Sequence, residues 1–185
     1  MSARTAVVVG NPRPGSRTLA AALHVARELT GAEPDLVVDL ARLGGALLDG
    51  DSPDGGAAGV AGLVREVADA DLVVFASPTY KATYSGLLKV FLDRFAPGHG
   101  TGLRGVAVPV MLGASPHHAL APELLLRPVL TEIGGTVVTP GLYLVDAQHD
   151  DPAAYTAWLD RARPAVAAVL DLPPLPSALP TGAPA

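Results

Sequence analysis

The run Leu72-Val73-Val74-Phe75-Ala76 has no polar residue on either alternate, so a strand built from it must be covered on both faces. That is the demand of a parallel sheet between two layers of helices. The run passes straight into Ser77 to Phe95, SPTYKATYSGLLKVFLDRF, where a turn of small, hydroxylated and aromatic residues opens a helix. The turn falls at the carboxyl end of the strand, which is where open α/β sheets bind their ligands.

The rest of the chain repeats the same alternation. Ala6-Val7-Val8-Val9 reads as a buried first strand. The loop Gly10 to Ser16 follows it, and then a helix over about 18–29 with Leu19, Leu23, Ala26 and Leu29 as its apolar stripe. Leu36-Val37-Val38 is a short second strand, and the Gly- and Asp-rich stretch 42–58 reads as a working or mobile loop. A helix over 63–70 leads into the third strand. A helix over 84–95 and a Gly-rich connection precede a fourth strand, 106–112, in which Pro109 supplies no ladder donor. A helix over about 119–133 contains Arg127-Pro128, which should kink it or mark a new start. A fifth strand near 136–145 and a last helix over about 152–170 complete the alternation. Residues 1–171 are expected to form one domain, and the Pro- and Ala-rich stretch 172–185 a disordered or extended tail.

Five strands alternating with helices imply a doubly wound parallel α/β sheet, because parallel strands need helical crossovers. The dinucleotide-binding version would want GxGxxG directly after the first strand, and that position reads Gly10-Asn11-Pro12-Arg13-Pro14-Gly15-Ser16-Arg17-Thr18. A GxGxxG string at 100–105 precedes a strand and opens no helix, so it reads as a flexible connection. Walker A is missing too.

Composition removes other classes of function. A formal charge of −5 and the lack of a basic run argue against nucleic-acid binding. With no cysteine there is no disulfide, thiolate nucleophile or cysteine-ligated metal. The N-terminus turns polar too soon for a signal peptide, and no apolar stretch approaches a membrane span, so a soluble cytoplasmic protein is expected. Adjacent His117 and His118 lack a nearby carboxylate or an i, i+4 partner and do not read as metal ligands, while His24, His99 and His149 read as surface residues. Tyr155 and Trp158 read as packing anchors of the last helix.

In the first loop, Asn11, Arg13, Ser16, Arg17 and Thr18 stand at a helix N-terminus, where free N–H groups and the helix dipole favour an anion. This suits a phosphate monoester. The plainer alternative is that Ser16 only caps the helix and both arginines are solvated. The stretches 86–92 and 124–130 are apolar almost all round, which points to self-association.

Taken together, N-P-R-P-G-S-R-T, the segment P-T-Y-K-A-T-Y-S-G-L-L-K-x-F-L-D at 78–93, and G-A-S-P-H-H-A-L with L-R-P-V-L between 113 and 130 resemble the NADPH-dependent FMN reductase family. The likeness is nearest to the flavin reductases that serve two-component alkanesulfonate monooxygenases, and it runs from Val7 to about Ile133. The resemblance implies a flavodoxin-like sheet of strand order 2-1-3-4-5, with FMN at the switch point between strands 1 and 3. It implies that Asn11, Arg13, Ser16, Arg17 and Thr18 hold the FMN phosphate, Asn11 standing where the family often has serine. It implies that Pro78, Thr79, Tyr80 and Lys81 pass along the isoalloxazine edge, and it extends that segment to Ser85. Gly113, Ala114 and Ser115 match a glycine-glycine-serine loop, with alanine second, and His118 matches a histidine of the motif. Tyr84 matches an aromatic residue that forms a π-bulge in the following helix, lies at a tetramer interface and governs flavin exchange; an ordinary aromatic anchoring the helix is the alternative.

The implied activity is NAD(P)H-dependent reduction of FMN, with NADPH or NADH as donor, dimers or tetramers as the assembly, and a flavin-dependent monooxygenase as a partner. Hydride passes between stacked rings, so no catalytic acid or base is expected. Lys81 and the Ser77 to Tyr80 backbone are candidate donors near flavin N1 and O2, although Lys81 also reads as a solvated side chain. An FMN-bound reductase of quinones, azo compounds or chromate is an alternative within the class. A flavodoxin-like electron carrier, or a homologue that has lost flavin, is the alternative outside it.

Overall fold

The computed structural model describes residues 3–48 and 59–172. Five strands, β1 (Thr5–Val9), β2 (Leu36–Asp39), β3 (Leu72–Pro78), β4 (Val106–Gly113) and β5 (Leu142–Val145), form one sheet in the order β2-β1-β3-β4-β5. Every pairing is parallel. The expected flavodoxin-like doubly wound topology is therefore present. The switch point lies between β1 and β3, which pair from Thr5↔Leu72 to Val9↔Ala76.

Alternation along the strands divides the core in two. Val7, Val9, Val74 and Ala76 face α1 (Arg17–Thr30) and α5 (Ala153–Leu170), while Ala6, Val8, Val73 and Phe75 face α2 (Val60–Ala68), α3 (Gly86–Leu92) and α4 (Arg127–Glu132). All seven residues of β3 are buried, as its sequence requires. Phe91 and Phe95 stack edge-on at 5.5 Å beneath it, and Tyr155 and Trp158 are buried on the other face as expected anchors.

Several boundaries differ from the sequence reading, each for a local reason. The helix expected from Tyr84 starts at Gly86, because Ser85 is spent as its N-cap, accepting from Leu88 N at 3.1 Å, and it ends at Leu92. The helix over 63–70 begins earlier, at Val60, and stops at Ala68. Part of the stretch read as loop from 42 onward is helical: two short 3-10 turns, Leu40–Arg42 and Gly44–Leu47, bury Leu40 and Leu47. The remainder of that loop, and the tail beyond 172, lie outside the described residues.

The fifth strand is shorter than expected, and Pro109 accounts for the break. Ala107 N donates to Thr136 O at 3.0 Å, so the β5 side of β4 is the side on which Pro109, two residues on, has no N–H to give. Regular pairing resumes only at Val110↔Leu142. Side chains satisfy the backbone in between. Arg127 donates to the carbonyls of Val137 and Thr139, both at 2.8 Å; Trp158 Nε1 donates to Pro140 O at 2.8 Å; and Gly141 N donates to Glu123 Oε2 at 2.7 Å.

The π-bulge expected at Tyr84 is not there. Tyr84 sits in the extended approach to α3, half-buried against the core. A π-turn occurs instead at Pro122–Leu126, just ahead of α4, where Arg127 N donates to Pro122 O. Pro128 explains that position: it has no N–H for the Leu124 carbonyl and its ring would crowd it, and the wider turn takes up the mismatch.

Candidate functional site

Three loops converge at the carboxyl edge of the sheet, after β1, β3 and β4. The first is anchored where β1 ends. Gly10 N donates to Ala76 O at 2.8 Å, and a Cβ on Gly10 would collide with Leu88 Cβ, so only glycine lets β1 pass beneath α3. Ser85 locks the crossing: its hydroxyl donates to Gly10 O and its N–H to Ser77 Oγ at 2.9 Å. Ser85 is buried, and its polar groups are engaged within the chain.

Beyond Gly10 the loop braces itself. Asn11 Nδ2 donates to Thr18 Oγ1 at 2.9 Å, and Asn11 Oδ1 accepts from Arg13 N at 2.9 Å. Both Asn11 and Thr18 are buried, so these two predicted phosphate ligands hold the shape of the loop with their side chains. Ser16 is the N-cap of α1, its Oγ accepting from Leu19 N at 3.2 Å. The N–H groups of Arg17 and Thr18 have no acceptor inside the helix. No acidic residue occupies the first turn, and Arg13 and Arg17 are exposed beside it. The 14-residue helix thus starts with backbone donors that have no acceptor in the helix and with its positive dipole end, and the exposed Arg13 and Arg17 lie close by in the chain. That donor set fits a phosphate monoester, and hence the terminal group of FMN.

The second loop is a tight turn at the end of β3. Thr79 N donates to Leu112 O at 2.6 Å, and Tyr80 and Thr83 exchange backbone hydrogen bonds at 2.9 and 3.2 Å. Lys81 and Ala82, between them, have φ of 50° and 71°. Positive φ at both central residues defines a type I′ turn, for which Asn-Gly is the usual choice. A Lys-Ala pair here carries strain of about 1–3 kcal/mol per residue, and strain of this kind gathers at ligand sites. Tyr80 lies 47% exposed on the turn, Lys81 is exposed, Pro78 is buried in the strand, and the buried Thr79 hydroxyl lies beside the Tyr143 side chain.

The third loop, Gly113 to Ser115, is fixed by Tyr143 of β5. The Tyr143 hydroxyl donates to Ser115 O at 2.7 Å, and a Cβ on Gly113 would collide with that same hydroxyl. Ala114 is exposed, so its extra methyl points away from the packed interior. Ser115 Oγ pairs with His117 Nδ1 at 2.8 Å, and His118 is exposed at the end of the 3-10 turn Pro116–His118. A groove of about 450 Å³ joins the second and third loops, with Ala82 on one side and His118, Leu120, Leu124 and Leu125 on the other. Among the described residues no three His, Asp or Glu side chains are grouped to hold a metal.

Two residues of this edge escaped the sequence reading. Asp39, the last residue of β2, accepts from Gly15 N at 3.2 Å, and Tyr143 shapes the third loop. The available signals were slight: a carboxylate closing the apolar run L-V-V-D, and a hydroxyl-bearing ring in the short run L-Y-L-V. Two histidines were misread: His24 packs edge-on against Tyr155 at 4.4 Å, between α1 and α5, and His149, its side chain only 22% exposed, pairs through Nδ1 with Asp146 O at 3.0 Å.

Residues 3–150 match the family model described as NADPH-dependent FMN reductase. The chain is 31% identical to an NADH-dependent FMN reductase SfnF of Pseudomonas putida over 180 residues, covering 92% of this chain and 94% of that protein. It is 34% identical to an FMN reductase (NADPH) of Escherichia coli (strain K12) over 88 residues, 47% of this chain and 44% of that one, so this match spans less than half of that relative. The crystal structure of an NADH:FMN oxidoreductase in its apo form superposes with a TM-score of 0.74 at 28% identity, over 94% of this chain and 91% of that one.

Proposed function

The chain belongs to the NADPH-dependent FMN reductase family, and from that membership and the loop at the start of α1 we propose that it is an NAD(P)H:FMN oxidoreductase. Nicotinamide is the hydride donor and FMN the acceptor. The observation that carries this reading is the first loop: a capped helix N-terminus whose first N–H groups have no acceptor among the described residues, no acidic residue in its first turn, and exposed Arg13 and Arg17 close by in the chain.

In this reading the phosphate of FMN lies against the N–H groups of Arg17 and Thr18, with Asn11, Arg13 and Ser16 shaping and charging the cradle. Pro78 to Lys81 and Gly113 to Ser115, with His118, wall the ring portion, and the strained turn at Lys81-Ala82 keeps backbone groups at the rim. FMN supplies the redox chemistry, so the chain contributes binding, orientation and donors toward the pyrimidine edge.

The finer parts of the reading concern context. Supply of reduced flavin to a partner monooxygenase fits the nearness of the alkanesulfonate-type reductases, and either NADPH or NADH serves as donor. The exposed row Leu120, Leu124 and Leu125 supports assembly as a homodimer or homotetramer. No helix among the described residues is long and apolar enough to cross a membrane, which is compatible with work in the cytoplasm.

The test is steady-state kinetics on Arg13→Ala combined with Ser16→Ala. Removing the guanidinium and the cap should raise KM for FMN roughly tenfold or more while kcat falls little, since the interaction is made equally in ground and transition states. An unchanged KM for FMN would remove the first loop from flavin binding.

A further inference from the structure

Asp39 ends β2 opposite Val9, the last residue of β1, which puts its carboxylate at the root of the first loop. It occupies the N-cap position of the 3-10 turn Leu40–Arg42, and capping that turn would be its ordinary use. It does not cap: no side-chain cap hydrogen bond forms there. The side chain, only 4% exposed, reaches across instead, and Oδ2 accepts the N–H of Gly15 at 3.2 Å. Gly15 has φ of 64°, the left-handed conformation that lets the chain reverse into Ser16 and α1. The other oxygen, Oδ1, is buried with no hydrogen-bond partner among the described residues.

Such a group is expensive. A buried carboxylate with one oxygen unsatisfied costs stability, and Arg42 Nε at 3.6 Å, on a side chain 73% exposed, offsets only part of it. Its charge also opposes an anion bound at the adjacent helix terminus. What it gives in return is geometric: it is an acceptor from outside the loop, and it takes hold of the loop at its sharpest point. Asn11 braces the two ends, through Thr18 and Arg13, and Asp39 braces the middle.

We propose that Asp39 is the positioning residue of the phosphate loop: by holding Gly15 N–H it sets the backbone from Gly15 to Thr18 in the shape that receives a phosphate monoester, and so gives the protein its preference for FMN over riboflavin. This rests on the FMN reading above. Because the role needs an acceptor and not a charge, asparagine should serve as well as aspartate, or better once the repulsion of the phosphate is gone.

The experiment is titration of the full chain with FMN and, separately, riboflavin, followed by quenching of flavin fluorescence, for the unaltered protein, Asp39→Asn, Asp39→Ala and Asp39→Leu. FMN affinity should fall up to about tenfold in Asp39→Ala, the order expected when one hydrogen bond that orders a loop is lost. Riboflavin affinity should stay level, and Asp39→Asn should keep the FMN preference. Asp39→Leu keeps the shape, removes the buried charge and leaves the exposed Gly15 free to bond water; it should hold or raise the melting temperature while losing the preference. This variant separates positioning from stability and stands in if the alanine protein does not fold. An unchanged FMN-to-riboflavin ratio in Asp39→Ala and Asp39→Leu, or an equal loss of both flavins, overturns the proposal with the FMN reading intact. An unaltered protein that binds FMN no better than riboflavin overturns the phosphate-loop reading and the proposal together.

Discussion

Gly10 carries more of the site than its size suggests. It joins β1 to β3 through Ala76 O, takes the Ser85 hydroxyl on its own carbonyl, and lies against Leu88 with no space for a Cβ. Gly10→Ala should therefore cost about 1–3 kcal/mol, the range for forcing one methyl into a packed interior. A urea denaturation curve with a lower midpoint and an unchanged slope would show this; an unchanged midpoint would mean that α3 moves aside freely. The same scale shows what a sequence can conceal. The residues proposed to receive the phosphate could be singled out because their types and their place before a helix match the chemistry of an anion site. The division of labour among them could not: Asn11 and Thr18 are buried and bonded to each other, whereas Arg13 and Arg17 stay exposed. Asp39 lies 24 residues from Gly15, and only folding brings the two together.

At the scale of elements, α1 and α5 meet over a small group of titratable residues. His24 packs on Tyr155, with Glu28, Arg27 and Arg163 around it, and Arg163 pairs with Glu28 across the seam. Burial holds the His24 imidazole below its usual value of 6.5, helped by Arg27 and Arg163 and opposed by Glu28. The unfolded chain therefore takes up a proton at a pH where the folded chain does not. His24 thus costs nothing above about pH 6.5 and subtracts stability as pH falls below it. His24→Phe keeps a ring on Tyr155 and removes the proton. Melting temperatures measured between about pH 7.5 and 5.5 should fall less in this variant than in the unaltered protein; parallel falls would show that the seam does not sense protons. The strands were legible because buried parallel strands must be apolar on both faces; their order came from the family resemblance, and the sheet has it. The interruptions were less so. Pro109 signalled trouble in β4, yet its consequence appears in β5, where pairing is broken between Thr136 and Leu142. Pro128 signalled a break in its own helix, and the structure meets it with a π-turn at Pro122–Leu126.

For the whole molecule, the sheet gathers three loops from distant parts of the chain at one edge, with helices packed on both its faces. The first loop offers donors to an anion, the second is a strained turn, and the third is pinned by Tyr143. In a reaction whose redox chemistry FMN supplies, the chain is asked for binding and orientation at such an edge. The central claim is that this edge passes electrons from nicotinamide to FMN. It is tested most directly by anaerobic oxidation of NADPH, and separately NADH, with and without added free FMN, following the visible absorbance of the flavin. The account predicts oxidation that depends on free FMN, with one flavin bleached for each nicotinamide oxidised. Nicotinamide left unoxidised with FMN present, or oxidised at the same rate without any flavin, would contradict it.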